Sequence, residues 1–121
     1  MVAKKPLRLL IVEDHVDSAE LLAELLVSRG HHVRIAGTAS AALARAAEEP
    51  FDLVVSDVGL PDASGYELMA KLRDRHALKG IALTGTRTTD AAAASGFVAV
   101  LTKPIALRTL EETLETVAAR L

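Results

Sequence analysis

The sequence predicts an α/β fold in which a five-stranded parallel sheet carries helices on both faces. Two observations lead there. Four short runs, 7–12, 53–56, 81–84 and 98–101, are apolar almost throughout, which suits strands covered on both faces rather than half-exposed hairpins. Between the runs the hydrophobic period lengthens to that of a helix, so that strand and helix alternate five times. That order calls for parallel strands joined by right-handed crossovers.

The first strand, 7–12, ends on two acids, Glu13-Asp14. Val16, Ala19, Leu22, Leu25 and Leu26 then fall on one helical face, and Arg29-Gly30 supplies a cation and a helix-stopping glycine. The second strand, 32–36, alternates instead, with Val33 and Ile35 on one side, as suits a strand nearer the sheet edge. An alanine-rich helix over 39–49 offers a small-residue packing surface and ends at Pro50, which cannot continue it. Leu53-Val54-Val55-Ser56 forms the third strand and delivers Asp57. The third helix starts near Gly65 with Asp62 or Ser64 available to cap it, and buries Leu68, Met69 and Leu72. After strand 81–84, Thr88-Thr89-Asp90 can cap a short alanine-rich helix that Ser95-Gly96 stops. Strand 98–101 leads to a last helix with the stripe Leu107, Leu110, Leu114, Val117 and Leu121.

A chain of 121 residues has the size of one domain, here read as a single domain over 7–121 behind an N-terminal tail, 1–6. Fourteen Lys+Arg face 16 Asp+Glu, and this near balance leaves no basic footprint for direct nucleic-acid binding. With no cysteine, disulfide and thiol chemistry are excluded and metal ligands narrow to oxygen and imidazole. The apolar stretch after Lys4-Lys5 is broken by Glu13-Asp14 before it reaches the length of a signal or membrane segment. The expectation is a soluble, cytoplasmic protein with no membrane insertion.

Ligands of such sheets bind outside the carboxyl ends of the strands, where strand order reverses. Glu13, Asp14, Asp57, Thr84 and Thr102-Lys103 all follow predicted strands and gather at that edge. An ionised carboxylate ending a buried strand needs a cation or a chemical role. Mg2+ takes oxygen ligands and is held by one or two carboxylates. Asp14 and Asp57 are the natural direct ligands, Glu13 acts directly or through water, and a backbone carbonyl at Gly59 completes the protein's share. Asp57 can then attack a phosphoryl donor to form an acyl phosphate. Lys103 supplies a point charge and Thr84 a hydroxyl donor for the transferred oxygens.

Taken in order, Glu13-Asp14, Asp57 with the following Gly59-Leu60-Pro61 and Gly65, Thr84 after Ile81-Ala82-Leu83, and Lys103-Pro104 resemble the receiver domain of two-component response regulators. Each motif alone is weak; the ordered set is specific and runs from Leu7 to Leu121. The resemblance implies a flavodoxin-like sheet in strand order 2-1-3-4-5, with Asp57 as phosphoacceptor and Mg2+ as cofactor. It also implies a phosphohistidine donor, on a histidine kinase or histidine phosphotransfer protein, and a further downstream protein partner. In such a domain Thr84 swings toward the phosphoryl oxygens, Lys103 pairs with them, and the Lys103-Pro104 bond is cis. The receiver itself catalyses its phosphorylation and its slow hydrolysis.

The chain departs from that pattern at three places. Val100 stands three residues before Lys103, where the family usually has an aromatic; a valine is stiff at χ1 and presents no ring. Phe97 is expected in the core rather than as its substitute. The stretch from Thr84 to Lys103 is about one helical turn shorter than the family norm, which predicts a shortened fourth helix. Gly59 leaves open space beside the acyl phosphate, a feature familiar from hybrid sensor kinases, so the chain reads as a stand-alone relay or an excised domain. The four histidines, His15, His31, His32 and His76, lack metal-ligand spacing and read as surface residues, with His15 placed to modulate the acidic pair. A phosphorylation-independent docking module is the alternative reading. An aspartyl-phosphate phosphatase is disfavoured because Gly59 stands where its second acid belongs.

Overall fold

The structure is a computed structural model that describes residues 6–85 and 90–121. Ten elements alternate along it: β1 Arg8–Val12, α1 Val16–Ser28, β2 His32–Ala36, α2 Ala39–Glu48, β3 Leu53–Asp57, α3 Gly65–His76, β4 Lys79–Thr84, α4 Asp90–Ser95, β5 Phe97–Thr102 and α5 Leu107–Ala118. The strands form one parallel sheet in the order β2-β1-β3-β4-β5, the order expected. The chain moves from β1 outward to β2 and returns to the other flank of β1 as β3. The switch point therefore lies between β1 and β3, where Val12 pairs with Ser56.

The uninterrupted apolar runs are explained by burial on both sides. Alternate residues of a strand face opposite ways, so Leu10, Val12, Val54 and Ala82 join a core layer with α2, α3 and α4, while Leu9, Ile11, Leu53, Val55, Ile81 and Leu83 join a second layer with α1 and α5. Each fully buried leucine contributes about 2 kcal/mol of transfer free energy, and the central strands contribute on both faces. Ala39, Ala42 and Ala46 are the buried residues of α2, and their small side chains let that helix lie close to the sheet. Phe97 is 5% exposed and meets Tyr66 edge-on, with ring centroids 6.2 Å apart, so it is a core residue as expected.

Helix ends follow the sequence with one reassignment. Ser64 caps α3 by accepting from the Tyr66 N–H, while Asp62, the other candidate for that role, reaches to the first turn of α2 instead. Among the described residues the fourth helix is six residues long; the Thr88-Thr89 part of its expected cap lies outside them, as does most of the N-terminal tail.

Three burial expectations are corrected. Val16 is 65% exposed: it opens α1, ahead of Ala19, the first residue of that helix to be buried. Leu121 is exposed because α5 ends at Ala118. His31 is buried, not on the surface, and its Nδ1 accepts from the Leu7 N–H at 3.0 Å. The alternation that sets Val33 and Ile35 on one side places His31 with them, and His32 opposite. Among the described residues, no helix is long and apolar enough to cross a membrane.

Candidate functional site

At the carboxyl end of the sheet, residues far apart in sequence come together. Glu13 directly follows β1, and its N–H donates to the Ala36 carbonyl at 3.1 Å, which ties the acidic pair to the end of β2. Asp57 closes β3 and stands in register with Leu83, the residue before Thr84. Thr84 ends β4, is 2% exposed, and pairs with Thr102 of β5. Lys103 leaves β5 with its N–H donating to the Thr84 carbonyl at 2.7 Å, and the Lys103-Pro104 peptide bond is cis.

From that position the lysine side chain crosses the end of β4. Its Nζ lies 3.0 Å from Asp57 Oδ2 and 3.5 Å from Glu13 Oε2. Burial works against the charged ammonium, but the hydrogen bond and charge of Asp57, joined by those of Glu13, outweigh it and lift the Lys103 pKa above the ordinary lysine value. One cation thus faces two carboxylates in a partly desolvated setting, where charges act more strongly than in bulk water.

The two oxygens of Glu13 serve different neighbours. Oε2 faces Lys103, while Oε1 accepts from the His15 N–H at 3.2 Å and lies 3.1 Å from His15 Nδ1. The same imidazole nitrogen is 3.5 Å from Asp14 Oδ1, so Glu13, Asp14 and His15 present potential metal-ligand atoms within 4.8 Å of one another. His15 is exposed, as expected of a surface residue, and still contacts both acids. Its position directly after the acidic pair was the sequence signal for that contact.

The loop after Asp57 completes the edge. Val58 N–H donates to the Leu83 carbonyl, Gly65 N–H to the Val58 carbonyl, and Gly59 bridges to Ser64. A Cβ at Gly59 would meet nothing within 4 Å, whereas one at Gly65 would fall 2.4 Å from the Asp57 carbonyl oxygen. The first glycine leaves a gap; the second permits the approach of α3 to the site. Asp62 is the residue of this loop whose part went unread in the sequence.

Residues 9–115 match the family model described as the response regulator receiver domain. The chain belongs to that family of two-component signalling domains. It is 34% identical to the virulence sensor protein BvgS of Bordetella pertussis across 94% of its own length and 10% of BvgS, so it spans about a tenth of that relative. Response regulator protein TrrA from Thermotoga maritima, solved in complex with Mg(2+)-BeF, superposes with a TM-score of 0.81 at 27% identity, covering 90% of this chain and 96% of the other. A receiver domain of a Saccharomyces cerevisiae response regulator, co-crystallised with a histidine phosphotransfer signalling protein, gives 0.82 at 26% identity, covering 89% of this chain and 86% of that chain.

Proposed function

We propose that the domain accepts a phosphoryl group on Asp57 from a phosphohistidine of a histidine kinase or histidine phosphotransfer protein, in a Mg2+-dependent reaction, and acts as a switch or relay. The observation that carries this reading is Asp57 itself: a strand-end carboxylate, 13% exposed in its side chain, held 3.0 Å from a lysine ammonium and flanked by a second acid. Such a group is a nucleophile with its counter-charge already in place.

An oxygen of Asp57 attacks phosphorus as the P–N bond to the donor imidazole breaks; the imidazole leaves as the neutral base once its nitrogen takes up a proton. The bond formed is the aspartyl P–O bond. Release runs through attack of water on the same phosphorus, which returns the carboxylate and inorganic phosphate. Lys103 is the residue that pairs with the added negative charge, and Thr84 the hydroxyl that turns toward it. Gly59 leaves the flank of Asp57 open to water.

The donor set fits a hard divalent cation, because Glu13, Asp14 and Asp57 offer only oxygens and the space between Glu13 and Asp57 attracts a positive charge, the Lys103 ammonium. Asp14, Asp57 and the Gly59 carbonyl would hold Mg2+, with Glu13 beside them. When bound, the ion supplies charge neutralisation for the phosphoryl oxygens. The TrrA complex with Mg(2+)-BeF supports the same reading for this chain, and the yeast phosphotransfer complex supports the class of partner. A cytoplasmic location accords with this role.

Incubation with Mg2+ and a small-molecule phosphodonor is expected to add one phosphoryl mass to the wild type and none to Asp57→Asn. A wild type that stays unmodified beside a receiver that the same donor modifies overturns the proposal. Val100, partly buried against the core rather than a ring free to rotate, favours the second reading, a docking module indifferent to phosphorylation. Equal partner binding by the wild type and Asp57→Ala under phosphorylating conditions would establish that reading instead.

A further inference from the structure

The loop between β3 and α3 carries Gly59 beyond the paired strands of the sheet. Its base is closed by Val58 N–H on the Leu83 carbonyl at 3.2 Å and Gly65 N–H on the Val58 carbonyl at 2.7 Å. Its tip is tethered by Asp62, whose Oδ1 accepts from the Ala39 N–H at 2.8 Å and whose Oδ2 accepts from the Ser40 N–H at 3.0 Å. Those are first-turn amides of α2, a helix that already has a cap of its own in Thr38, whose hydroxyl accepts from the Ala41 N–H at 3.0 Å. The two amides hold the Asp62 carboxyl below the usual carboxylate range.

The corner to which Asp62 binds is also joined to β1. Glu13 N–H donates to the Ala36 carbonyl at 3.1 Å, and Ala36 precedes Ala39 in the same tight corner. A continuous path therefore runs from Glu13-Asp14 to the corner at 36–40, from there to Asp62, and along the loop to Gly59 and Asp57. The acids on the two sides of the switch point are clamped to each other through the amino end of α2.

We propose that Asp62 is a positioning residue for the cation site, setting the Asp57–Gly59 loop at its distance from the Glu13-Asp14 pair. The inference rests on the phosphoacceptor reading above. The proposal gives Asp62 no ligand role, since its two oxygens are turned to the Ala39 and Ser40 amides at the start of α2. A role confined to capping α2 would be shared with Thr38, and this separates the two explanations.

The experiment is a Mg2+ titration of the wild type, Asp62→Ala, Asp62→Asn and Thr38→Ala, followed through backbone amide NMR shifts with thermal melts alongside. Both alanine variants are expected to melt earlier, but Thr38→Ala keeps its Mg2+ Kd within about twofold of wild type while Asp62→Ala raises it about 10-fold, the loss typical of residues that orient metal ligands. Asp62→Asn, which keeps one acceptor oxygen, falls between. If Asp62→Ala does not fold, Asp62→Asn is compared with Thr38→Ala on the same criterion. An Asp62 variant no weaker in Mg2+ affinity than Thr38→Ala overturns the proposal and leaves the phosphoacceptor reading standing. A wild type with no affinity for Mg2+ overturns both.

Discussion

Lys103 and Asp57, 46 positions apart in sequence, meet at 3.0 Å across the end of β4. The same ammonium reaches Glu13, and the side chains of the two acids are 13% and 6% exposed. Lys103→Met removes the cation and leaves two neighbouring carboxylates to repel each other. Because the lysine side chain is 38% exposed, solvent screening limits the loss to about 1 kcal/mol at neutral pH. Adding Asp57→Asn to that variant should restore most of it, since Glu13 then no longer faces a second negative charge at position 57. Urea melts of the double-mutant cycle measure this; simple additivity would contradict the coupling.

His31 gives the fold a dependence on pH. Burial lowers its pKa, against an opposing pull from the charge of Glu111, and its Nδ1 is occupied as an acceptor for Leu7 N–H. The unfolded chain therefore binds the proton more readily than the native one. The stability contributed by neutral His31 is complete above the unfolded value, about 6.5, and declines as pH falls from there through the native value. His31→Asn retains an acceptor but does not titrate, so its urea midpoint should fall less than that of the wild type below about pH 6.5. Parallel curves would remove His31 as the source.

The two loop glycines should respond differently to the same substitution. In Gly65→Ala the new Cβ meets the Asp57 carbonyl oxygen at 2.4 Å and Val58 Cα at 2.7 Å. Backbone cannot yield as a side-chain end does, so a loss of about 1–3 kcal/mol is expected, together with slower phosphorylation. Gly59→Ala meets open space and should stay within about 0.5 kcal/mol of wild type. Denaturant melts test the contrast, and decay of the phosphoryl adduct in Gly59→Ala reports how far the gap controls access of water to Asp57.

Mg2+ should stabilise the native state through linkage. At about 100-fold excess over its Kd the gain is about 2.7 kcal/mol, visible as a higher melting temperature that a chelator reverses. Asp14→Asn should lose most of this gain. A metal fluoride analogue of the phosphoryl group should raise the melting temperature further in wild type and not in Asp57→Asn. Demonstrated occupancy without any rise in melting temperature would contradict the linkage.

The chain itself determined the order of elements, because a strand covered on both faces is apolar along most of its length and a helix covered on one face is not. Leu9 and Leu10, buried in opposite layers, show why the run at 7–12 was legible as a central strand. That order also fixes which acids and which lysine reach the carboxyl edge, where Glu13, Asp57 and Lys103 meet. Tertiary structure decided what depends on distance between segments: that His31 turns inward onto Leu7, that Val16 opens its helix in solvent, and that Asp62 binds α2 instead of capping α3. Periodicity reports which face of an element is buried, since that is a property of its own residues. It carries no information about which amide a side chain will reach on another element, because that contact exists only once both elements have packed on the same sheet.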